Sequence, residues 1–188
     1  MILEYKAQKH QGINPGGDCG PCCLAGITGL PVREIYDKYL RRIDGTSYDC
    51  IIEALWKLRF AGIVQYHHTE LPIRRKRDDH QYQTFGNPSW EGFRDWAEHV
   101  DGLIRQGYVG IAEVHQDGNA MGDRKHQWHT NHWVLIKGID YDKQAGGKEL
   151  IVHISCPTYG EYSKPVMEFL MNYGGYNAIW VYMPKKDK

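Results

Sequence analysis

Three cysteines crowd into five residues, Cys19, Cys22 and Cys23, within "NPGGDCGPCCLAGITGLPVREIYDKYL" (residues 14–40). Thiols so spaced serve metal ligation, disulfide cross-linking, or attack by one thiolate with two bystanders. Local structure helps to separate these. Asp18 is a residue type that caps helices and Pro21 fits a first helical turn, so the pattern predicts a helix from the cysteines to about Thr28. Cys19 then stands where unpaired backbone N–H groups and the helix dipole favour a thiolate. Cys22 and Cys23 lie further in and read as small apolar packing residues. Gly16, Gly17 and Gly20 leave room for a substrate backbone to approach.

A thiol nucleophile needs a base, and His132 opens the apolar segment "HWVLIKGID" (132–140). A cysteine at a helix start paired with a histidine at a strand start is an arrangement for nucleophilic catalysis. The polar stretch 116–131 before it reads as an open loop able to act as a lid, with Trp128, Trp133 and Tyr159 as candidate cleft-lining aromatics. Zinc is the competing use of the same residues. Cys19 and Cys22 form one ligand pair, and His126, His129 and His132 follow at intervals of three. A zinc knuckle holds its Cys-x-x-Cys on a tight turn, whereas Pro21 and the apolar run behind it make a helix, so no metal is expected.

The elements that must position these residues are helical first. After Gly29, Pro31 opens a helix with Val32, Ile35, Tyr36, Tyr39 and Leu40 on one face. Another follows Ser47 and carries Ile51, Leu55 and Leu58, closing near Gly62. "IRRKRDDHQYQTFGNP" reads as an exposed loop, its basic run balanced by two aspartates. Ser89 caps a helix bearing Phe93, Trp96, Ala97, Val100 and Ile104 that ends at Gly107. Strands are predicted at 108–115, 132–140 and 150–155, the last two as a hairpin across "DKQAGG". A short helix around "KPVMEFLMNY" precedes a final strand, "NAIWVYM". Helices followed by a mainly antiparallel sheet make an α+β fold, not βαβ alternation.

At 188 residues the chain is expected to be one domain, residues 1–188, with a core that needs no staples. Lysine plus arginine and aspartate plus glutamate number 23 each, so no global field draws nucleic acid or an anionic membrane. No apolar run suits a signal peptide or a membrane span, and a cytoplasmic location is expected. The odd cysteine count, at 19, 22, 23, 50 and 156, fits free thiols in a reducing compartment.

"DCGPCCLA", then "HWVLIKGID", then "ISCPTYGEY" together resemble the papain-like cysteine peptidases. The nearest branch is the bacterial double-glycine leader peptidases and small bacterial and phage relatives. The resemblance spans about residues 11–183 and rests on those three short motifs. It implies a papain-like fold, with the nucleophile helix of an N-terminal helical half packed on the sheet. It also implies Cys19 as nucleophile, His132 as general base, and an oxyanion-binding glutamine ahead of the cysteine. Gln11, eight positions ahead of Cys19, stands further out than that glutamine does in the family, and Asn14 is the competing donor. At the third position, where the family carries Asp or Asn to hold the histidine, this chain has Cys156, with Ser155 as an alternative support.

The expected activity is hydrolysis of a peptide or isopeptide bond through a thioacyl intermediate on Cys19. No cofactor is expected, and the expected partner is a peptide or protein substrate, for which a glycine-rich cleavage site would suit a cleft lined by small residues. The alternatives are a papain-like binding module with weakened catalysis and a zinc-stabilised structural protein.

Overall fold

The computed structural model describes residues 2–13, 17–40, 46–60, 62–67, 75–76, 82–83, 90–116, 130–142, 149–173 and 177–183. The elements in chain order are α1 (Cys19–Thr28), α2 (Val32–Lys38), α3 (Tyr48–Lys57), β1 (Ile63–His67), β2 (Arg75–Lys76), β3 (Tyr82–Gln83), α4 (Trp90–Arg105), β4 (Tyr108–Gln116), β5 (Thr130–Asp142), β6 (Glu149–Cys156), β7 (Gly160–Pro165), α5 (Val166–Tyr173) and β8 (Asn177–Tyr182). The class is α+β, as expected.

Six strands form one sheet in the order β1-β8-β4-β5-β6-β7, and every pairing in it is antiparallel. Its strands alternate between two cores. Val109 and Ile111 of β4, with Trp133 and Leu135 of β5, pack under α1, α2 and α3. Ala112 and Val114, with Val134 and Ile136, pack under α4 and α5. The sheet is therefore covered on both faces, with the helical half divided: α4 crosses to the side opposite α1. Phe93, Trp96, Ala97, Val100 and Ile104 of α4 are all buried there, so its helical spacing places the core stripe correctly.

Four strands go beyond the sequence reading. β1 and β7 are the outermost strands of the sheet, and neither has the dense apolar run of the central ones. The segment read as an exposed loop contains the two-stranded ladder β2–β3, Arg75 opposite Gln83 and Lys76 opposite Tyr82. β5 begins at Thr130, two residues before His132, and Gln116 pairs with Thr130. The ends of the expected 116–131 loop are thus paired strand; residues 117–129, including His126, Trp128 and His129, lie outside the described residues.

The segment before α1 straps the layers together. Ile2 bridges to Gly138, the Leu3 N–H donates to the Lys137 carbonyl at 2.9 Å, and the Gln8 N–H to the Cys22 carbonyl at 3.0 Å. Gly26 permits the close passage: a Cβ there would meet the Lys6 carbonyl carbon at 2.8 Å and Ala7 Cα at 2.9 Å.

Candidate functional site

Cys19 is the first residue of α1, whose first turn closes through the Cys22 N–H donating to the Asp18 carbonyl at 2.9 Å. The helix ends at Thr28 with Gly29 left-handed at φ 76°, a conformation glycine adopts without strain. Cys19 is 8% exposed, open to solvent only at its edge. Burial is the largest influence on its thiol and raises its pKa, while backbone N–H groups of Trp133, Gly20 and Cys19 itself pull the other way. The contact with Trp133 sets this sulfur against the peptide that follows His132.

Asp18 does not work as the sequence predicts. It occupies the N-cap position, but its side chain makes no cap bond. One carboxylate oxygen meets His10 Nδ1, and the other accepts the Gln11 backbone N–H at 2.9 Å. Burial alone would raise its pKa; the hydrogen bonds from His10 and Gln11 outweigh it and hold the carboxyl below the usual range. The other nitrogen of His10, Nε2, lies 2.9 Å from Thr158 Oγ1. The sequence reading missed His10 and Thr158. They are 148 residues apart and carry no local signal; only the strap along α1 brings them together.

His132 is buried, with Nε2 3.1 Å from Cys156 Sγ. The Tyr159 N–H donates to the same sulfur at 3.4 Å. Burial pushes the His132 imidazole down to about 4, with the charge of His10 adding to the effect; their ring centroids are 6.1 Å apart. Cys156 thus stands beside the ring, the place the sequence assigns to it. Ser155 does not: its hydroxyl accepts the Ala7 N–H at 3.0 Å, on the strap. Cys156 leaves Nδ1 of His132 as the nitrogen turned to other work, provided that Nε2 carries the proton.

Position bears on the remaining expectations. Trp133 is buried in the α1 core, and its Nε1–H donates to the Thr46 carbonyl at 2.7 Å, so it is a packing residue and lines no cleft. Tyr159 is half exposed beside Cys156. Gln11 reaches Asp18 through its backbone N–H, and its side chain is exposed; Asn14 lies outside the described residues.

Among the described residues, the group whose ligand atoms come close enough to surround a metal ion is His10, Asp18 and Cys22, all within 4.8 Å of one another. It is not the set that cysteine and histidine spacing proposes. His10 and Asp18 already satisfy each other, and Cys22 donates to the Lys9 carbonyl at 3.5 Å, which accounts for the cluster as hydrogen bonding. All five cysteines are free and buried. No helix among the described residues is long and apolar enough to cross a membrane.

No protein-family model matches the chain, and a search of curated proteins finds no match.

Proposed function

We propose that this chain is a papain-like cysteine peptidase or amidase that hydrolyses a peptide or isopeptide bond through a thioester on Cys19. The observation that carries the reading is the place of the Cys19 thiol: first residue of a buried helix, its sulfur against the Trp133 N–H, one residue from His132. In the resting site both partners are neutral. Burial raises the thiol and lowers the imidazole, so the proton moves when substrate arrives rather than beforehand. Cys19 Sγ attacks the carbonyl as His132 takes its proton, and the protonated ring then gives that proton to the leaving amine. Water, deprotonated by the same ring, cleaves the thioester. The Cys19 backbone N–H is the donor nearest the developing oxyanion.

A second reading, a binding module with weakened catalysis, is favoured by one observation: a thiol, a poor acceptor, holds the ring nitrogen that an amide or carboxylate would hold better. One experiment separates the two. A peptide carrying a thiol-trapping electrophile should label Cys19, as located by mass spectrometry, and the label should vanish in Cys19→Ala. His132→Ala should slow labelling by roughly 10²-fold or more, the usual worth of a positioned general base. Labelling of Cys22, Cys23 or Cys156 in preference to Cys19 would overturn the choice of nucleophile. No labelling of any folded variant would leave the binding module.

A further inference from the structure

Cys22 has no part in that chemistry, yet it lies three residues from Cys19 on the same helical turn. Three residues of α-helix advance about 4.5 Å and nearly complete a turn, which puts the two Cα atoms about 5 Å apart. Disulfides span Cα separations of roughly 4.4–6.8 Å, and this spacing falls inside that range. The Cys22 side chain leans toward the helix N-terminus, as helical side chains do. Its sulfur touches the Lys9 carbonyl and lies within 4.8 Å of an Asp18 carboxylate oxygen and a ring nitrogen of His10. Gly20 and Pro21 between the cysteines are buried, Gly20 so tightly that a Cβ would meet the Thr46 side chain at 2.7 Å.

We propose that Cys19 and Cys22 form a reversible redox pair, closed to a disulfide by a low-molecular-weight disulfide and reopened by a small thiol. The Cys19 thiol gives its proton to solvent, and the resulting thiolate attacks one sulfur of the small disulfide, forming a mixed disulfide on Cys19 and releasing one small thiolate, which takes up a proton from solvent. Cys22 then loses its proton to the Asp18–His10 pair, and its thiolate attacks Cys19 Sγ. That step forms the Cys19–Cys22 bond and expels the second small thiolate, which recovers the proton. Two protein thiols are oxidised by two electrons, and one small disulfide is reduced to two thiols. A neighbouring acceptor matters because burial, with the charges of Asp18 and Cys19 adding to it, pushes the Cys22 thiol up to about 12.

Cys23 is the competing partner. It is fully buried, and among the described residues the groups whose charge bears on it are the thiols Cys19, Cys22 and Cys156, none of them a carboxylate or imidazole. Closure of the Cys19–Cys22 bond withdraws the nucleophile. This consequence rests on the peptidase reading, whereas the pairing itself does not.

The test equilibrates the full chain in graded mixtures of reduced and oxidised glutathione, alkylates free thiols and maps them by mass spectrometry. Cys19 and Cys22 should disappear together as the buffer becomes oxidising and return with dithiothreitol. Cys22→Ala should stop at a glutathione adduct on Cys19, while Cys23→Ala should still close the bond. Iodoacetamide should label Cys19 in the closed form at least about tenfold more slowly than in the open form. A disulfide that survives Cys22→Ala and disappears in Cys23→Ala overturns the proposal. So does an adduct on Cys19 that never resolves with Cys22 present, or a full count of free thiols in the most oxidising buffer. A pair that closes in a protein no peptide electrophile labels would sink the peptidase reading and leave the redox pair standing.

Discussion

At the scale of single residues, His132 couples the site to folding. Its imidazole falls from an ordinary value near 6.5 to about 4 in the folded chain, chiefly through burial. As pH drops below 6.5 the unfolded chain takes up a proton that the folded chain refuses, so stability present above that pH is lost between it and about pH 4. The full shift corresponds to about 3 kcal/mol. Urea titrations at pH 7 and pH 4.5 should show the loss, and His132→Gln should flatten it; an unchanged slope in the variant would show that other groups carry it. Cys156 offers a second test. Cys156→Asp puts an acceptor against Nε2, raises the pKa of His132, and should increase turnover by roughly tenfold, well short of the ~10⁴ that a serine triad loses without its aspartate. The carboxylate enters a site only 1% exposed, so a loss of about 1–3 kcal/mol in stability should accompany the gain. Cys156→Ala should change turnover little; if it removes activity as fully as Cys19→Ala, Cys156 reacts directly. Cys19, His132 and Cys156 stand out in the sequence because a helix start, an apolar run and a motif mark them, and the structure puts His132 as the third residue of β5 rather than its first. His10 has no such mark, because its partners Asp18 and Thr158 are set by the fold alone.

At the scale of elements, what the sequence disclosed follows burial. α1 runs over the predicted residues because Pro21 and Gly29 bracket an apolar run, and α4 and β5 carry unbroken core stripes. β7 alternates half-buried and exposed residues and has no apolar run to mark it in the sequence; as a sheet edge it needs only one covered face. β1, at the other edge, is short and merges with polar sequence on its C-terminal side. The cap of α1 shows the opposite failure. Asp18 has the right type and place, but long-range hydrogen bonds to the strap win over the local cap. That strap depends on Gly26. Gly26→Ala forces backbone against backbone and should cost about 1–3 kcal/mol, while slowing the labelling of Cys19 because His10 and Asp18 shift with the strap. Gly102→Ala, within α4 where a Cβ meets nothing within 4 Å, should instead stabilise by about 0.5–1 kcal/mol. Urea midpoints of the two variants moving in the same direction would refute the packing account.

At the scale of the whole molecule, the candidate site forms where one helical layer, the sheet and the strap meet, and none of the three contains it alone. Cys19 comes from the helices on one face, while His132 stands on β5 and Cys156 ends β6. The strap supplies His10 and ties α1 to the sheet. Beyond the site the same strap also makes an ion pair with the sheet edge. Glu161 of β7 pairs with Lys6 on the strap at 2.7 Å and with Lys137 of β5. The two lysines differ: the Lys6 side chain is 65% exposed, that of Lys137 only 7%. An exposed ion pair contributes little, so Lys6→Ala should change stability by no more than about 0.5 kcal/mol. Glu161→Ala strands the buried ammonium of Lys137 and should cost about 1–2 kcal/mol, less than a fully buried pair because water reaches the carboxylate. In a Lys137→Met background that charge is gone, the methylene stem is largely retained, and Glu161→Ala should cost no more than about 0.5 kcal/mol. The coupling between Glu161 and Lys137, read from the four denaturation midpoints of this cycle, should therefore be about 1 kcal/mol. A coupling indistinguishable from zero would mean that Lys137 is solvated in its native place and that its ion pair with Glu161, reaching across β6, adds nothing to stability.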